Sequence, residues 1–273
     1  MTSLASLLAL NLAVTMACMV GLWLVSVRLG DPSFVDAWWP MGFAVVAWVS
    51  FVVADGDPVR QGWLVGLTTV WALRLGGYLF WRWRRNGPDK RYVNMIRHAP
   101  GNPHAFTLRN VFLLQGALLW VVSLPLQLGQ WYADPRGLLP LGFVGVVLCV
   151  AGIAFESIGD AQLTRFKADP ANAGRVMDRG LWRYTRHPNY FGDACTWWGL
   201  LLVSVANPVT ALAVVSPLVM TFLLARWSGV GPVERRLKRH KPDYAEYSGR
   251  TSCFVPLPPR AAATSRPPIE ERT

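Results

Sequence analysis

The chain has 273 residues, of which 52% are hydrophobic and only 16% charged, with a formal net charge of +11. Water-soluble domains carry about 25% charged residues. The charges also avoid long stretches, since residues 1–27, 37–54, 110–133, 137–155 and 194–225 contain no Asp, Glu, Lys or Arg. These features exclude a purely soluble fold and predict an integral membrane protein.

Counting apolar runs along the chain predicts seven transmembrane helices. A spanning helix needs about 20 apolar residues. Residues 4–27, 37–54, 61–81, 110–131 and 138–159 meet or approach that length, and 190–226 is long enough for two helices. Asn207-Pro208 divides that last run, because proline disfavours helix at the residue before it. We therefore expect an all-α, multi-pass fold over residues 1–255, followed by a disordered tail over 256–273 that is rich in Pro, Ala and charge.

The basic residues indicate the orientation of these helices. With the N-terminus outside, 24 of the 27 Lys and Arg residues fall on the cytoplasmic side, Arg60 and Arg136 fall outside, and Arg74 lies within a span. Cytoplasmic loops of membrane proteins carry the excess of Lys and Arg. We expect the N-terminus outside, the C-terminus in the cytoplasm, and the bacterial inner membrane as the location. The same distribution explains the positive charge without a nucleic-acid partner, and the single cysteines and histidines have no metal-ligand spacing.

Ionisable residues near the predicted cytoplasmic mouth indicate a polar pocket. Glu156, Asp160 and Lys167 follow i, i+4, i+11 spacing and share one helical face. An amphipathic helix end that emerges into water is the alternative interpretation of this stripe. Acidic groups inside apolar spans are costly, and they usually line a cavity or pair with one another.

The densest cluster of polar residues is the segment Arg186-His187-Pro188-Asn189-Tyr190-Phe191-Gly192-Asp193. Pro188 suits the first turn of a helix, which would place Asn189, Asp193 and Trp197 on one face. Arg186 and His187 precede the helix N-terminus, where an anion is favoured. The pattern predicts a site for a ligand that carries phosphate and ribose, whereas a belt of interfacial Arg, Tyr and Trp would explain the aromatic residues alone.

Three further positions are candidates for catalysis. Trp71, Arg74, Tyr78 and Arg82 follow helical spacing on one face of the third span, where Arg74 either lines the cavity or extends its side chain to the membrane surface. Asp36, beside Trp38 and Trp39, opens the second span. Downstream of the last span, Glu234, Tyr244 and Tyr247 lie in a basic segment that either folds back over the mouth or is solvated.

The segment from Gly180 to Asp193 resembles the steroid 5-alpha reductase superfamily, and more narrowly its DUF1295 branch of bacterial membrane proteins. Similar features are Trp71-Ala72-Leu73-Arg74-Leu75, Phe112-Leu113-Leu114-Gln115, the Glu156/Asp160/Gln162/Phe166 stripe, and Glu234 with Tyr244, Tyr247 and Phe254-Val255-Pro256. The resemblance implies a seven-helix, NADPH-dependent reductase of a carbon–carbon double bond in a steroid or other lipid enone. The residues implied for the cofactor are Glu156, Asp160, Lys167, Arg175, Arg186, His187, Asn189, Tyr190, Asp193, Glu234 and Tyr244.

The resemblance also frames the catalytic assignment and its alternatives. Steroid reductases use a tyrosine and an acid on early helices, and this chain lacks a clear Gln-Glu pair in its second helix. Tyr78, assisted by Arg74, is our candidate proton donor, and Asp36 is a second one. An S-adenosylmethionine-dependent isoprenylcysteine or phospholipid methyltransferase shares an RHPxYxG element and a downstream acid, which Glu234 would supply. A lipid-binding membrane protein without enzymatic activity is the third hypothesis.

Overall fold

The structure is a computed structural model that describes residues 3–227 and 229–260. Within these residues the chain is helical, with π-helical segments at Leu108–Leu113 and Leu223–Trp227, and the one β-bridge pairs Thr185 with Ser252. The helices are α1 (Leu4–Leu29), α2 (Val35–Val53), α3 (Pro58–Asn86), α4 (Lys90–Arg97), α5 (Pro103–Val122), α6 (Leu124–Trp131), α7 (Pro140–Ala168), α8 (Pro188–Ser204), α9 (Pro208–Trp227), α10 (Val230–His240) and α11 (Tyr244–Arg250). The predicted all-α fold is confirmed for this part of the chain.

Six of the described helices, namely α1, α2, α3, α5, α7 and α9, are long and apolar enough to cross a membrane. The integral membrane character predicted from composition is therefore supported. The remaining predicted span, the sixth in chain order, corresponds to α8, which has 17 residues. The total of seven spans and the orientation of the termini stay predictions.

Two predicted helix boundaries were tested by the structure, with different results. The division at Asn207-Pro208 is confirmed, because the Asn207 side chain accepts from the backbone N–H groups of Val209 and Thr210 and caps α9. The predicted continuous span 110–131 is instead interrupted, since α5 ends at Val122 and α6 begins at Leu124. Pro125 explains the break: it lacks an N–H group, and its ring collides with the carbonyl four residues earlier.

The chain divides into two compact units. Unit 1 comprises Met1–Ile153 and Ala194–Phe222, and unit 2 comprises Ala154–Asp193 and Leu223–Thr273. The predicted tail lies mostly outside the described residues. Within its described part, the backbone N–H groups of Leu257 and Arg260 donate to the carbonyls of Tyr184 and Arg250, both at or below 3.0 Å.

Unit 1 is held together by close helix contacts and by a buried arginine. A Cβ on Gly199 of α8 would lie 2.6 Å from the backbone nitrogen of Cys149 in α7, so these helices approach as small residues allow. Arg60, at the start of α3, is 2% exposed. Its guanidinium donates to the carbonyl oxygens of Gly129 (2.8 Å), Pro135 (3.0 Å) and Tyr132. The sequence predicts Arg60 as an outer-loop residue. In the structure its side chain is buried and connects the start of α3 to α6 and to the segment that follows α6.

Candidate functional site

Unit 2 contains all of the residues predicted for the cofactor, from Glu156 on α7 to Tyr244 on α11. α7 continues to Ala168, so Glu156, Asp160 and Lys167 lie on one helix as their spacing predicts. Trp182 locks the following turn onto this helix, because its indole N–H donates to the carbonyl of Gly159 at 3.0 Å. Gly180 has a φ of 57° and leaves no room for a Cβ, which would lie 2.5 Å from the Gln162 side chain. Glycine at this position therefore lets the chain turn back toward the start of α8.

A buried amide–carboxylate pair forms where α8 begins. The helix starts at Pro188, as the sequence predicts. The Asn189 Nδ2 group donates to Asp160 Oδ1 at 3.2 Å. This bond orients the amide and leaves Asn189 Oδ1 as a buried acceptor with no hydrogen-bond donor among the described residues. An acceptor in that state is ready to receive an N–H or O–H group of a ligand.

Asp160 and two further acids of unit 2 are deeply buried. Glu156, Asp160 and Asp193 are 2%, 4% and 6% exposed. Carboxylates are almost never buried to this degree without specific partners. The alternative interpretation of the Glu156/Asp160 part of the stripe, a helix end emerging into water, is therefore wrong. It does fit Lys167, whose side chain is exposed.

A second cluster joins the segment before α8 to the C-terminal helices. Arg186 Nε donates to Glu234 Oε1 at 2.7 Å, and His187 Nε2 lies 3.4 Å from the same oxygen. Cys253 Sγ donates to that oxygen at 3.6 Å. Burial of the Glu234 carboxyl opposes ionisation, but His187 and Arg186 outweigh it and lower the pKa of Glu234 to about 2. Glu234 is therefore an anion at neutral pH.

Backbone contacts strengthen this junction. Arg186 Nη1 donates to the carbonyls of Ser248 (2.6 Å) and Thr251 (3.0 Å), and the backbone N–H of Arg186 donates to Ser252 O at 2.9 Å. Arg186 lies in the loop before α8. Its Nε atom contacts α10 through Glu234, and its Nη1 atom contacts α11 and the residue that follows it. This geometry favours a role for Arg186 in holding the site together over direct contact with a phosphate.

The same junction contains the aromatic side chains of His187, Tyr190 and Tyr244. The rings of His187 and Tyr190 stack, with centroids 5.4 Å apart and planes 2° apart. Tyr244 is 1% exposed, and its hydroxyl is buried near the Glu234 carboxylate. Burial, followed by the nearby Glu234 carboxylate, raises the pKa of Tyr244. Tyr244 therefore stays protonated at neutral pH.

A charged cleft of ≈ 210 Å³ lies in the same unit. Its walls include Arg175, Arg179 and Arg250 together with Asp178, Asp243 and Glu246. Arg250 is engaged, because its Nη2 lies 2.6 Å from Asp178 Oδ2. Arg175 and Arg179 are exposed, and no ion pair of theirs is found among the described residues. Lys241 Nζ donates to the backbone carbonyl of Arg175 and brings a further positive charge to this edge.

The three catalytic candidates lie in unit 1. Tyr78 stacks on Trp81 with ring centroids 6.1 Å apart, and the guanidinium carbons of Arg74 and Arg82 lie 5.8 and 5.9 Å from the Tyr78 ring centroid. The predicted grouping of Arg74, Tyr78 and Arg82 on one face is confirmed. These distances fit cation–π contacts, which hold the phenol ring in place.

Asp36 belongs to a network that sequence reasoning missed. Its Oδ1 accepts from the Tyr92 hydroxyl at 2.5 Å, and its Oδ2 accepts from Arg91 Nη2 at 2.9 Å. Gln115 Nε2 donates to the same Tyr92 hydroxyl at 3.1 Å. Burial, together with the Asp36 carboxylate, raises the pKa of Tyr92 well above 10.0. Tyr92 lies in the short basic helix α4, 56 residues after Asp36, and no local pattern in the sequence indicates this pairing.

The described residues contain no group of three or more His, Cys, Asp or Glu side chains placed to hold a metal ion. No curated protein and no solved structure matches the chain. A family model described as "Protein of unknown function (DUF1295)" matches residues 22–251. Because that match covers most of the chain, the protein belongs to the DUF1295 family.

Proposed function

We propose that this protein is a membrane-embedded reductase that uses NADPH to reduce a carbon–carbon double bond conjugated to a carbonyl in a steroid-like or other lipid substrate. The proposal includes membership of the steroid 5-alpha reductase superfamily. It also includes seven spans, with α8 as the sixth, the N-terminus outside, and the bacterial inner membrane as the location. At 1.5 Å per residue the 17 residues of α8 extend about 25 Å, close to the hydrocarbon thickness of about 30 Å.

The observation that carries the proposal is the buried acceptor Asn189 Oδ1, held in place by Asp160 at the start of α8. A carboxamide N–H or a ribose hydroxyl supplies the donor that this oxygen lacks. Tyr244 offers a buried hydroxyl in the same unit, and Glu156 and Asp193 add buried carboxylates. A dinucleotide carries both carboxamide and ribose groups, so its chemistry fits the polar atoms present here.

The charged cleft favours a phosphorylated cofactor over S-adenosylmethionine. Arg175 and Arg179 are exposed guanidinium groups that match phosphate oxygens in charge and geometry. S-adenosylmethionine carries one carboxylate and no phosphate, so it offers fewer anionic oxygens to two guanidinium groups. Glu234, by contrast, does not discriminate between the two hypotheses, because both families place an acid after the last helices. It acts here as the anchor of Arg186 and His187.

When bound, NADPH supplies a hydride to the electron-poor carbon of the enone. The chain must then place a proton donor near the carbonyl oxygen, where negative charge develops. Tyr78, with Arg74 beside its ring, is the donor proposed from sequence. Tyr92 is a second phenol, already held at 2.5 Å from the Asp36 carboxylate and kept protonated by its raised pKa.

Cofactor binding tests the proposal directly. Detergent-purified protein should unfold at a higher temperature with NADPH, because ligand binding to the native state stabilises it. Asp193→Ala should abolish that increase, and Asp55→Ala, which changes an exposed acid of unit 1, should retain it. Stabilisation by S-adenosylmethionine and not by NADPH would favour the methyltransferase. A response to neither cofactor favours the lipid-binding hypothesis.

A further inference from the structure

Three aromatic rings from three helices meet in the interior of unit 1. They belong to Phe43 in α2, Trp71 in α3 and Trp197 in α8, and all three side chains are fully buried. The ring centroids lie 4.5 Å apart for Phe43 and Trp197, 5.5 Å for the two tryptophans, and 5.8 Å for Phe43 and Trp71. Edge-to-face contacts at these distances favour a fixed arrangement of the rings. We call these three residues the aromatic triad.

The two indole N–H groups of the triad have no hydrogen-bond acceptor among the described residues. The same holds for the fully buried hydroxyl of Thr68, one turn before Trp71 on α3. Six other indoles of unit 1 do donate to an oxygen, namely those of Trp23, Trp39, Trp48, Trp83, Trp120 and Trp198. Trp71 and Trp197 are the fully buried tryptophans among the described residues of unit 1, and these two lack an acceptor there.

The chemistry of the two indole N–H groups defines which kind of partner they lack. The indole N–H is a donor only, so its complement is an acceptor oxygen. Buried polar groups in native proteins are nearly always hydrogen-bonded, and in hydrocarbon surroundings no bulk water supplies a partner. One oxygen accepts two N–H bonds of about 2.9 Å from donors up to about 6 Å apart. The two indole rings are direct neighbours, with centroids 5.5 Å apart and planes 87° apart.

We infer that Trp71 and Trp197 bind the carbonyl oxygen of an apolar ligand, with the Thr68 hydroxyl as a further donor. The ring walls favour a hydrocarbon skeleton and disfavour a charged headgroup, so the ligand class is an uncharged ketone or enone. The inference deepens the proposed function and rests on it only for the role of that ligand as substrate. In that reaction the carbonyl oxygen becomes more negative as the hydride arrives, and fixed N–H donors stabilise that charge.

Indole resonances test this inference without any knowledge of the substrate skeleton. Protein labelled with ¹⁵N at the tryptophan indole is prepared in detergent, and the Trp71, Trp197 and Trp120 signals are assigned by substituting each residue with Phe. Cyclohexanone and methylenecyclohexane are the two probes, because they share one shape and only the ketone carries an oxygen. Cyclohexanone, unlike an enone, does not alkylate the cysteines.

The ketone should move the indole proton signals of Trp71 and Trp197 to lower field, whereas the hydrocarbon should not. Trp120 is the matched control, since its indole already donates to Leu8 O at 2.9 Å, and its signal should respond to neither probe. An equal response to both probes, no response, or an equal response at Trp120 overturns the inference. If Trp71→Phe does not fold, the near-isosteric Thr68→Val identifies the Trp71 signal by displacing it.

The result is separable from the cofactor experiment. A ketone response without stabilisation by NADPH refutes the reductase and leaves the carbonyl site standing. Stabilisation by NADPH without a ketone response refutes the carbonyl site alone.

Discussion

Glu234→Gln tests whether one carboxylate holds unit 2 together. The wild-type carboxylate faces Arg186 and His187, and its pKa falls from 4.5 to about 2. A folded-state pKa below the unfolded value adds stability above the unfolded pKa, and that stability is lost as the pH falls through the folded pKa. The wild-type protein should therefore lose stability between about pH 5 and pH 2 through this group.

The size of the effect follows from the shift and from the geometry. A shift of this size corresponds to about 3 kcal/mol for a fully shielded group. The side chains of Glu234 and Arg186 remain 14% and 11% exposed, so solvent reduces that figure. We expect about 1–2 kcal/mol to be lost between pH 7 and pH 3, or roughly 2–8 °C in the apparent unfolding temperature. Glu234→Gln should already be destabilised at pH 7, because it leaves the Arg186 guanidinium without its anion.

The assay is thermal unfolding of detergent-purified protein, followed by tryptophan fluorescence at intervals from pH 7 to pH 3. Glu246→Gln is the matched control, since that side chain is 74% exposed and its oxygen lies 3.9 Å from Arg250. Exposed pairs of this kind contribute little. Parallel curves for wild type and Glu234→Gln across the whole pH range would refute the reasoning.

Three further predictions follow from the geometry. If Tyr78 donates the proton, Tyr78→Phe loses turnover and keeps NADPH binding. If Tyr92→Phe loses turnover and Tyr78→Phe does not, the donor is Tyr92, whose hydroxyl contacts Asp36. Arg60→Met should cost about 2–4 kcal/mol, because it leaves three backbone carbonyls without their donor and removes the positive charge near the Asp57 carboxylate, whereas the exposed Arg136→Met should change the unfolding temperature little. Alkaline phosphatase fused after residue 136 should be active and a fusion after residue 175 inactive, and the reverse result would invert the proposed orientation.

Local patterns in the sequence were enough to predict much of this fold. Charge-free windows of span length correctly indicated membrane helices, because burying a charge in hydrocarbon is costly whatever the tertiary arrangement. The Asn207-Pro208 boundary and the helix start at Pro188 were predicted from proline chemistry alone. The interruption at Ser123 was missed, since the apolar run around Pro125 reads as continuous unless the proline is given more weight than hydropathy.

The candidate site likewise has features that the sequence predicted and contacts that only the fold shows. The face shared by Glu156 and Asp160 follows from helical spacing, which the sequence by itself determines, and so does the composition of the segment before α8. Only the tertiary structure decided that Asp160 orients Asn189, that Arg186 and His187 converge on Glu234, and that Tyr92 meets Asp36. Those partners lie between 29 and 56 residues apart in the chain. Such pairings depend on how helices pack, and neither the period of a helix nor the chemistry of a turn encodes them.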